Sequence, residues 1–161
     1  CVVYGIDLSR FDPLAVPRLP ARQNLMATLG LNGETDLVFA FISRLTARKN
    51  PQIFLDAARA YLNQAGLPPA RFLFIGPDHG AREALQAEAG GHERIHFLGY
   101  RKDVPDLLRG IDVFVLCSTE EPFGLSAVEA MAMECPVVLS KRGGFLEMIQ
   151  DGVAGRFFEI H

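Results

Sequence analysis

Short apolar runs alternate with helical patterns along nearly the whole chain, and this alternation constrains the fold more than any other feature. The apolar runs predict buried strands at residues 37–42, 72–75, 95–98, 113–116, 137–139 and 155–158. Helical spacing predicts helices at 21–29, from Asn50-Pro51 to Gly66, and at 81–89, 104–109, 125–134 and 145–150. This order implies right-handed crossovers, so we predict an α/β fold with a Rossmann-like, doubly wound parallel sheet of about six strands.

Length and composition limit the chain to one globular domain over residues 1–161, with 1–30 partly a linker. Asp7 to Arg22 is rich in proline and polar residues and is interpreted as that linker. The net charge of −3 provides no broad basic field, so we expect neither nucleic acid nor an anionic membrane as a partner. No apolar run approaches the roughly 18 residues that span a bilayer. Because the chain begins at Cys1 and not at methionine, we interpret it as part of a longer protein.

The cysteines and histidines give no sign of a disulfide framework or a metal site. Cys117 and Cys135 lie in apolar segments and are expected to be reduced core residues, which favours a cytoplasmic location. The four histidines lack the spacing of metal ligands. We therefore predict no metal and no cofactor.

Ligands of doubly wound sheets bind outside the carboxyl ends of the strands, so the residues after each strand are the candidates. Arg44, Arg48 and Lys49 follow the first predicted strand. An arginine fork and a lysine charge there would suit a diphosphate, whereas a solvated basic loop is the alternative.

The segment after the fourth predicted strand brings acidic residues into an apolar stretch. Gly124 permits close backbone approach and opens a helix whose free N–H groups favour an anion. Glu129 lies about 40° from Leu125 around that helix, on its apolar side. A carboxylate there needs partners, which could be sugar or ribose hydroxyls or, alternatively, a buried backbone N–H or a lysine.

Two weaker segments follow other strands. Gly99-Tyr100-Arg101, after the third strand, could border a nucleotide base or form a plain surface loop. Gly143-Gly144, after the fifth strand, could turn backbone N–H groups toward an anion or form a simple glycine turn.

Taken together, these segments resemble the retaining glycosyltransferases of family 4, the group 1 transferases. Glu121 to Glu129 is similar to their E-x7-E signature, and Glu129-Ala130-Met131-Ala132 to their "EAMA" run. Further similarities, in the family's order, are Val2 to Asp7, Ser43-Arg44-Leu45 with Lys49, Phe97-Leu98-Gly99, Gly143-Gly144 with Glu147, and Asp151-Gly152. The chain departs from the family at Tyr4, Ser43, Gly76-Pro77-Asp78 and Glu134-Cys135, and none of these departures removes a charged donor contact.

The resemblance implies the C-terminal, donor-binding half of a GT-B enzyme that uses a UDP-, GDP- or ADP-sugar and needs no metal. It assigns the diphosphate to Arg44 and Lys49, sugar hydroxyls to Glu121 and ribose hydroxyls to Glu129. The backbone N–H groups of Phe123, Gly124 and Leu125 would meet sugar and phosphate oxygens, and Gly99, Tyr100 and Arg101 would border the base.

The same resemblance makes an N-terminal acceptor domain the expected partner and the route of any peripheral membrane contact. This chain alone is expected to bind the donor weakly and transfer no sugar. Three alternatives stay open: a sugar phosphorylase, a nucleotide-sugar epimerase, and a non-catalytic binding or assembly module. We also expect Arg44→Ala or Lys49→Ala to weaken diphosphate binding while the fold survives.

Overall fold

The structure is a computed structural model and describes residues 5–31 and 36–160. Its strands are β1 (Leu37–Ile42), β2 (Ala70–Ile75), β3 (Ile95–Gly99), β4 (Val113–Leu116), β5 (Val137–Ser140) and β6 (Arg156–Phe158). Its helices are α1 (Arg18–Thr28), α2 (Pro51–Asn63), α3 (Arg82–Ala89), α4 (Val104–Gly110), α5 (Leu125–Ala132) and α6 (Phe145–Met148). All strands pair in parallel in the order β3-β2-β1-β4-β5-β6, which confirms the predicted Rossmann-like sheet.

The core lies where the central strands meet α2. Every residue of β2 is buried, as expected of a strand covered on both faces. The rings of Phe41, Phe54 and Phe74 pack together, with the Phe54 and Phe74 centroids 5.0 Å apart. Cys117 and Cys135 are buried and form no disulfide, and burial raises the pKa of each thiol to about 12. Among the described residues, no helix is long and apolar enough to cross a bilayer.

Helix α1 starts inside the segment that the sequence predicts to be a linker. The guanidinium of Arg18 donates to the Ile111 carbonyl at 3.1 Å, and that of Arg22 donates to the Gly110 carbonyl at 2.8 Å. These bonds join the first turns of α1 to the end of α4, so tertiary contacts extend the helix toward the prolines. The linker interpretation is therefore wrong for residues 18–22.

Several helix ends also differ from prediction: α2 ends at Asn63 and not at Gly66, and α6 ends at Met148 and not at residue 150. Helix α5 ends at Ala132 and not at residue 134, because Glu134 adopts a left-handed backbone with φ 55°. Pro51 begins α2 as predicted, but Asn50 has φ 49° and its side chain does not cap the helix. Asn50 instead joins α2 to a preceding 3₁₀ turn, Ala47–Lys49, and asparagine tolerates that left-handed conformation.

The strand order reverses between β1 and β4. The chain leaves β1 toward β2 on one side of the sheet, and it leaves β4 toward β5 on the other. The loops after these two neighbouring strands therefore diverge and leave a crevice at their carboxyl ends. Residues of the loop from Ser43 to Lys49 form one wall, and residues from Glu121 to Ser126 form the other.

Candidate functional site

The crevice between the β1 and β4 loops has a volume of about 410 Å³. It gathers most of the charged and backbone groups that the sequence singled out as ligand contacts. Its lining residues are Ser43, Arg44, Arg48, Lys49, Glu121, Pro122, Phe123, Gly124, Leu125 and Ser126. The structure thus brings Arg44, Lys49, Glu121, Phe123, Gly124 and Leu125 together at the switch point of the sheet.

A larger hollow of about 530 Å³ lies at the opposite edge, near the amino ends of β4 and β5. Its walls are mostly apolar, with Glu134 and Arg156 as the charged residues. Glu134 is paired there with Arg109 at 2.8 Å. The smaller crevice carries more cationic groups and lies where doubly wound sheets bind ligands, so it is the candidate site.

The backbone on both sides of Arg44 is held by the neighbouring strand end. The N–H of Ser43 donates to the Ile75 carbonyl at 2.9 Å, and that of Leu45 to the Pro77 carbonyl at 3.0 Å. Gly76 permits this approach, because a Cβ there would lie 1.9 Å from the Ser43 carbonyl oxygen. The exposed Arg44 side chain therefore projects from a fixed backbone.

The three cations of the β1 loop have different surroundings. Thr119 donates to the Arg48 carbonyl from its N–H at 3.0 Å and from its hydroxyl at 3.2 Å, which ties the 3₁₀ turn to the β4 loop. Within the described residues, the exposed side chains of Arg44 and Arg48 make no hydrogen bond or ion pair. Lys49 is buried and forms an ion pair with Glu121. The positive charge that a ligand could contact in the crevice is therefore that of Arg44 and Arg48.

The Glu121 carboxylate is buried and receives three hydrogen bonds. Lys49 Nζ donates to Oε2, as does the Ser118 hydroxyl at 3.0 Å. The Gly124 N–H donates to Oε1 at 3.0 Å. These bonds hold the carboxylate at the base of α5, where a buried charge needs such partners. The assignments of Lys49 to a diphosphate and of Glu121 to sugar hydroxyls remain predictions, since the two groups here bind each other.

The Gly143-Gly144 turn supports the same loop from the other side. The Gly144 N–H donates to the Glu121 carbonyl at 2.8 Å. A Cβ on Gly143 would lie 2.3 Å from that carbonyl oxygen, so only glycine fits. The Gly144 N–H is therefore not available to an anion, as in the simple glycine turn that the sequence also allowed. The turn positions Glu121 instead.

Helix α5 points its amino end into the crevice. Gly124 precedes it with φ 82°, and a Cβ there would lie 2.4 Å from the Phe145 ring. The N–H groups of Leu125 and Ser126 lie in the first turn, where a helix offers no acceptor of its own. The Leu125 N–H remains a candidate for ligand oxygens and the structure adds that of Ser126, whereas the Gly124 N–H, also predicted as a contact, already donates to Glu121.

Glu129 lies one turn further along α5 and does not line the crevice. It is half-buried, and burial raises the pKa of its carboxyl, while the positive charge of Arg10 partly opposes that rise. The Arg10 guanidinium also donates to the Lys102 carbonyl at 3.3 Å. Arg10 thus lies near both Glu129 and the loop after β3. Sequence reasoning missed it, because a lone arginine in a proline-rich segment carries no local signal.

Gly99 ends β3, and Tyr100 and Arg101 follow it. This strand is three positions from β4 in the sheet, and the three residues do not line the crevice. Tyr100 is exposed, and Arg101 donates to Asp103 at 2.8 Å. That bond holds the pKa of the Asp103 carboxyl below its usual value. The role of these residues at a nucleotide base remains a prediction. Among the described residues, no group of three or more histidines, cysteines and carboxylates could hold a metal ion.

Comparison with known proteins gives a family match across most of the chain. The model of the family described as "Glycosyl transferases group 1" matches residues 36–161. A D-inositol 3-phosphate glycosyltransferase from Mycobacterium sp. (strain KMS) is 37% identical over 98% of this chain. The chain spans about a third of the curated relatives that it matches first, namely 35% of that mycobacterial protein.

Solved structures give the same match at the level of the fold. The Anabaena protein HepE, in complex with UDP-glucose, superposes with a TM-score of 0.81 at 28% identity, over 99% of this chain and 43% of HepE. The C-terminal domain of the group 1 protein LpcC from Francisella tularensis superposes with a TM-score of 0.78 at 28% identity. That match covers 96% of this chain and 80% of the LpcC domain.

Proposed function

This chain belongs to the group 1 glycosyl transferase family, and we propose that it forms the donor-binding part of a retaining glycosyltransferase. Its fold is that of one half of a GT-B enzyme. The observation that carries the proposal is the crevice at the β1–β4 switch point, where Arg44 and Arg48 face the amino end of α5. Cationic forks opposite a helix amino end form a site for a diphosphate.

The diphosphate lies between the two walls in this proposal. Arg44 and Arg48 offer charged N–H donors that no other described group occupies. The first turn of α5 adds the Leu125 and Ser126 N–H groups and the positive end of its dipole. Lys49 joins them when its ammonium turns from Glu121 toward the phosphates, because a doubly charged diphosphate competes well with one carboxylate.

The two glutamates bind the hydroxyls of the donor. Glu121 lies beside the diphosphate wall and accepts from the sugar, while Glu129 is one turn away and accepts from the ribose. The base then extends toward Gly99, Tyr100 and Arg101, on the side where Arg10 meets the β3 loop. We propose UDP as the first nucleotide to test, since the related HepE was solved with UDP-glucose.

Catalysis in this proposal consists of stabilising the departing diphosphate without a metal. The arginines, Lys49 and the helix end supply positive charge where negative charge develops, which is electrostatic stabilisation of the leaving group. The new bond forms on the face that the diphosphate leaves, so the configuration at the anomeric carbon is retained. The acceptor binds to an N-terminal domain of the longer protein, and the reaction takes place in the cytoplasm.

A ligand screen tests this proposal. Unfolding midpoints of the chain are measured with UDP, GDP, ADP and their sugar derivatives, because a ligand of the folded state raises stability by roughly RT ln(1 + [L]/Kd). We expect one nucleotide series to raise the midpoint, and calorimetric titration then gives its Kd. Absence of binding to all three would contradict the proposal and favour a non-catalytic module. Epimerisation of the bound UDP-sugar without an acceptor would favour an epimerase.

A further inference from the structure

Two fully buried serine hydroxyls stand behind the candidate site, and neither reaches the crevice. Ser118 follows β4, Ser140 ends β5, and both have no exposed surface. The Ser140 hydroxyl donates to the Ser118 carbonyl at 2.7 Å. The Ser118 hydroxyl donates in turn to Glu121 Oε2 at 3.0 Å. Hydrogen bonds thus connect the end of β5 through the end of β4 to the carboxylate.

The donors to Glu121 differ in what a ligand can do to them. Lys49 lines the crevice, so a bound diphosphate can draw its ammonium away. The Ser118 hydroxyl is enclosed and cannot be reached by the ligand. The Gly124 N–H belongs to the backbone and holds only Oε1. When Lys49 turns to the phosphates, Ser118 is the side chain that still binds Oε2.

We infer that Ser118 is a positioning residue that holds the Glu121 carboxylate toward the sugar of the donor, and that Ser140 supports it. This inference rests on the proposed function, because it takes Glu121 as the acceptor for sugar hydroxyls. A carboxylate oxygen that keeps the Ser118 bond has its remaining lone pairs directed by that bond. Loss of the hydroxyl frees the carboxylate to rotate, which weakens contacts to the sugar and leaves contacts to the nucleotide intact.

The measurement that isolates this role is the ratio of two dissociation constants, Kd for the nucleoside diphosphate over Kd for its sugar derivative. Calorimetry on the whole chain provides both constants, with UDP and UDP-glucose as the first pair and the GDP and ADP pairs next. In Ser118→Ala we expect the ratio to fall by up to about tenfold, since a hydrogen bond to a charged group is lost. The Kd for the diphosphate alone should stay within about twofold.

Companion variants separate positioning from a general structural role. Ser118→Thr keeps the hydroxyl and should restore the ratio to within about threefold of the wild type. Ser140→Ala removes only the support of Ser118 and should lower the ratio by about two- to threefold. Ser9→Ala is the matched control, because the Ser9 hydroxyl donates to Asp7 on an exposed loop, and it should change nothing. If Ser118→Ala does not fold, Ser118→Thr and Ser140→Ala carry the test.

The outcomes distinguish this inference from the proposed function. If no nucleotide binds the wild type, the proposed function fails and the inference fails with it. If the nucleoside diphosphate and its sugar derivative bind the wild type with equal Kd, the nucleotide site is supported and the positioning role is overturned. A ratio unchanged in Ser118→Ala but lowered in Glu121→Gln overturns the role of Ser118 alone. Equal losses for both ligands in Ser118→Ala indicate a structural role and overturn it too.

Discussion

Within the described part of the chain, charged side chains at the amino ends of the strands are paired with one another, whereas two arginines at the carboxyl ends are not. At the amino ends of the strands, the Asp36 carboxylate lies 3.1 Å from Arg71 and 3.3 Å from Arg94. Asp112 accepts there from Arg18 at 2.6 Å and from Arg22 at 2.8 Å. At the carboxyl ends, Arg44 and Arg48 face the crevice without a partner among the described residues.

This difference separates charges that hold the fold from charges that are available to a ligand. At the amino edge, the bonds of Arg18 and Arg22 to carbonyls and to Asp112 join α1, α4 and the start of β1. Removing one of these arginines takes a donor from a part-buried carbonyl and from the Asp112 carboxylate. At the crevice, removing an exposed arginine leaves nothing unpaired. The Lys49–Glu121 pair lies between these cases, because it is buried yet lines the crevice.

The largest effect is expected from Asp36→Ala at the amino edge. Asp36 and Arg71 are both buried, and the variant removes the carboxylate that lies 3.1 Å from Arg71 and 3.3 Å from Arg94. Loss of one partner of such a pair lowers the free energy of unfolding by about 3–5 kcal/mol. Denaturant unfolding measures this change, and nucleotide affinity should be unaffected under conditions in which the variant is folded.

Glu88→Ala is the matched control for that variant. Glu88 lies 4.0 Å from Arg59 on an exposed surface, and its loss should change the unfolding free energy by less than about 0.5 kcal/mol. Equal effects of the two substitutions would show that the amino-edge network is not structural, and the contrast between the edges would then disappear.

The next largest effect is expected from Lys49→Met, which tests the intermediate case. The variant leaves the Glu121 carboxylate buried with the donors Ser118 and Gly124 only. We expect a loss of about 2–3 kcal/mol in unfolding free energy, in addition to weaker diphosphate binding. Arg44→Met, an exposed cation in the same crevice, is the control for stability. A Lys49→Met protein as stable as the wild type would argue against the buried pair.

A smaller effect, and one on binding alone, is expected from Arg44→Ala and Arg48→Ala. Each variant removes one charged donor to the diphosphate, so nucleotide Kd should rise about tenfold, equivalent to about 1.4 kcal/mol. The unfolding midpoint without ligand should not move. Calorimetric titration checks the first expectation and thermal unfolding the second. Unchanged nucleotide affinity in both variants would contradict the assignment of the diphosphate to this wall of the crevice.

The sheet could be predicted from the sequence because its signals are local. Buried parallel strands are continuous apolar runs, and the predicted strand at 37–42 matches β1 residue for residue. The start of α1 could not be predicted, since it depends on Arg18 and Arg22 reaching the end of α4. Contacts between segments some 90 residues apart leave no pattern in a local window.

The charged residues that line the crevice were predictable from the sequence, but the hydrogen bonds between them were not. Strand carboxyl ends indicate where Arg44, Lys49 and Glu121 lie, because the fold brings them there. The sequence does not reveal that Lys49 and Glu121 bind each other, nor that the Gly144 N–H serves the Glu121 carbonyl. Those facts depend on side-chain rotamers and turn geometry. The residues Val2 to Tyr4, which contribute to the family resemblance, lie outside the described residues.

The smallest effect is expected from Glu129→Gln, and it depends on pH. Burial raises the pKa of the Glu129 carboxyl above its usual value, so the folded protein holds this proton more tightly than the unfolded chain. The resulting stability is fully present below the unfolded pKa and is lost as pH rises through the folded value. The glutamine variant has no carboxyl to ionise, so its stability relative to the wild type should rise with pH.

Thermal unfolding from pH 4 to pH 7 tests this sign. Glu129→Gln should have the higher midpoint at pH 7, by a few degrees at most, since about 1 kcal/mol shifts the midpoint of a domain of this size by about 2–4 °C. The difference should shrink toward pH 4, where the wild-type carboxyl takes up its proton. At pH 7 the same variant should bind the nucleotide more weakly, because a neutral amide is a poorer acceptor for ribose hydroxyls than a carboxylate. A variant that is less stable at every pH would place Glu129 with the charges that hold the fold.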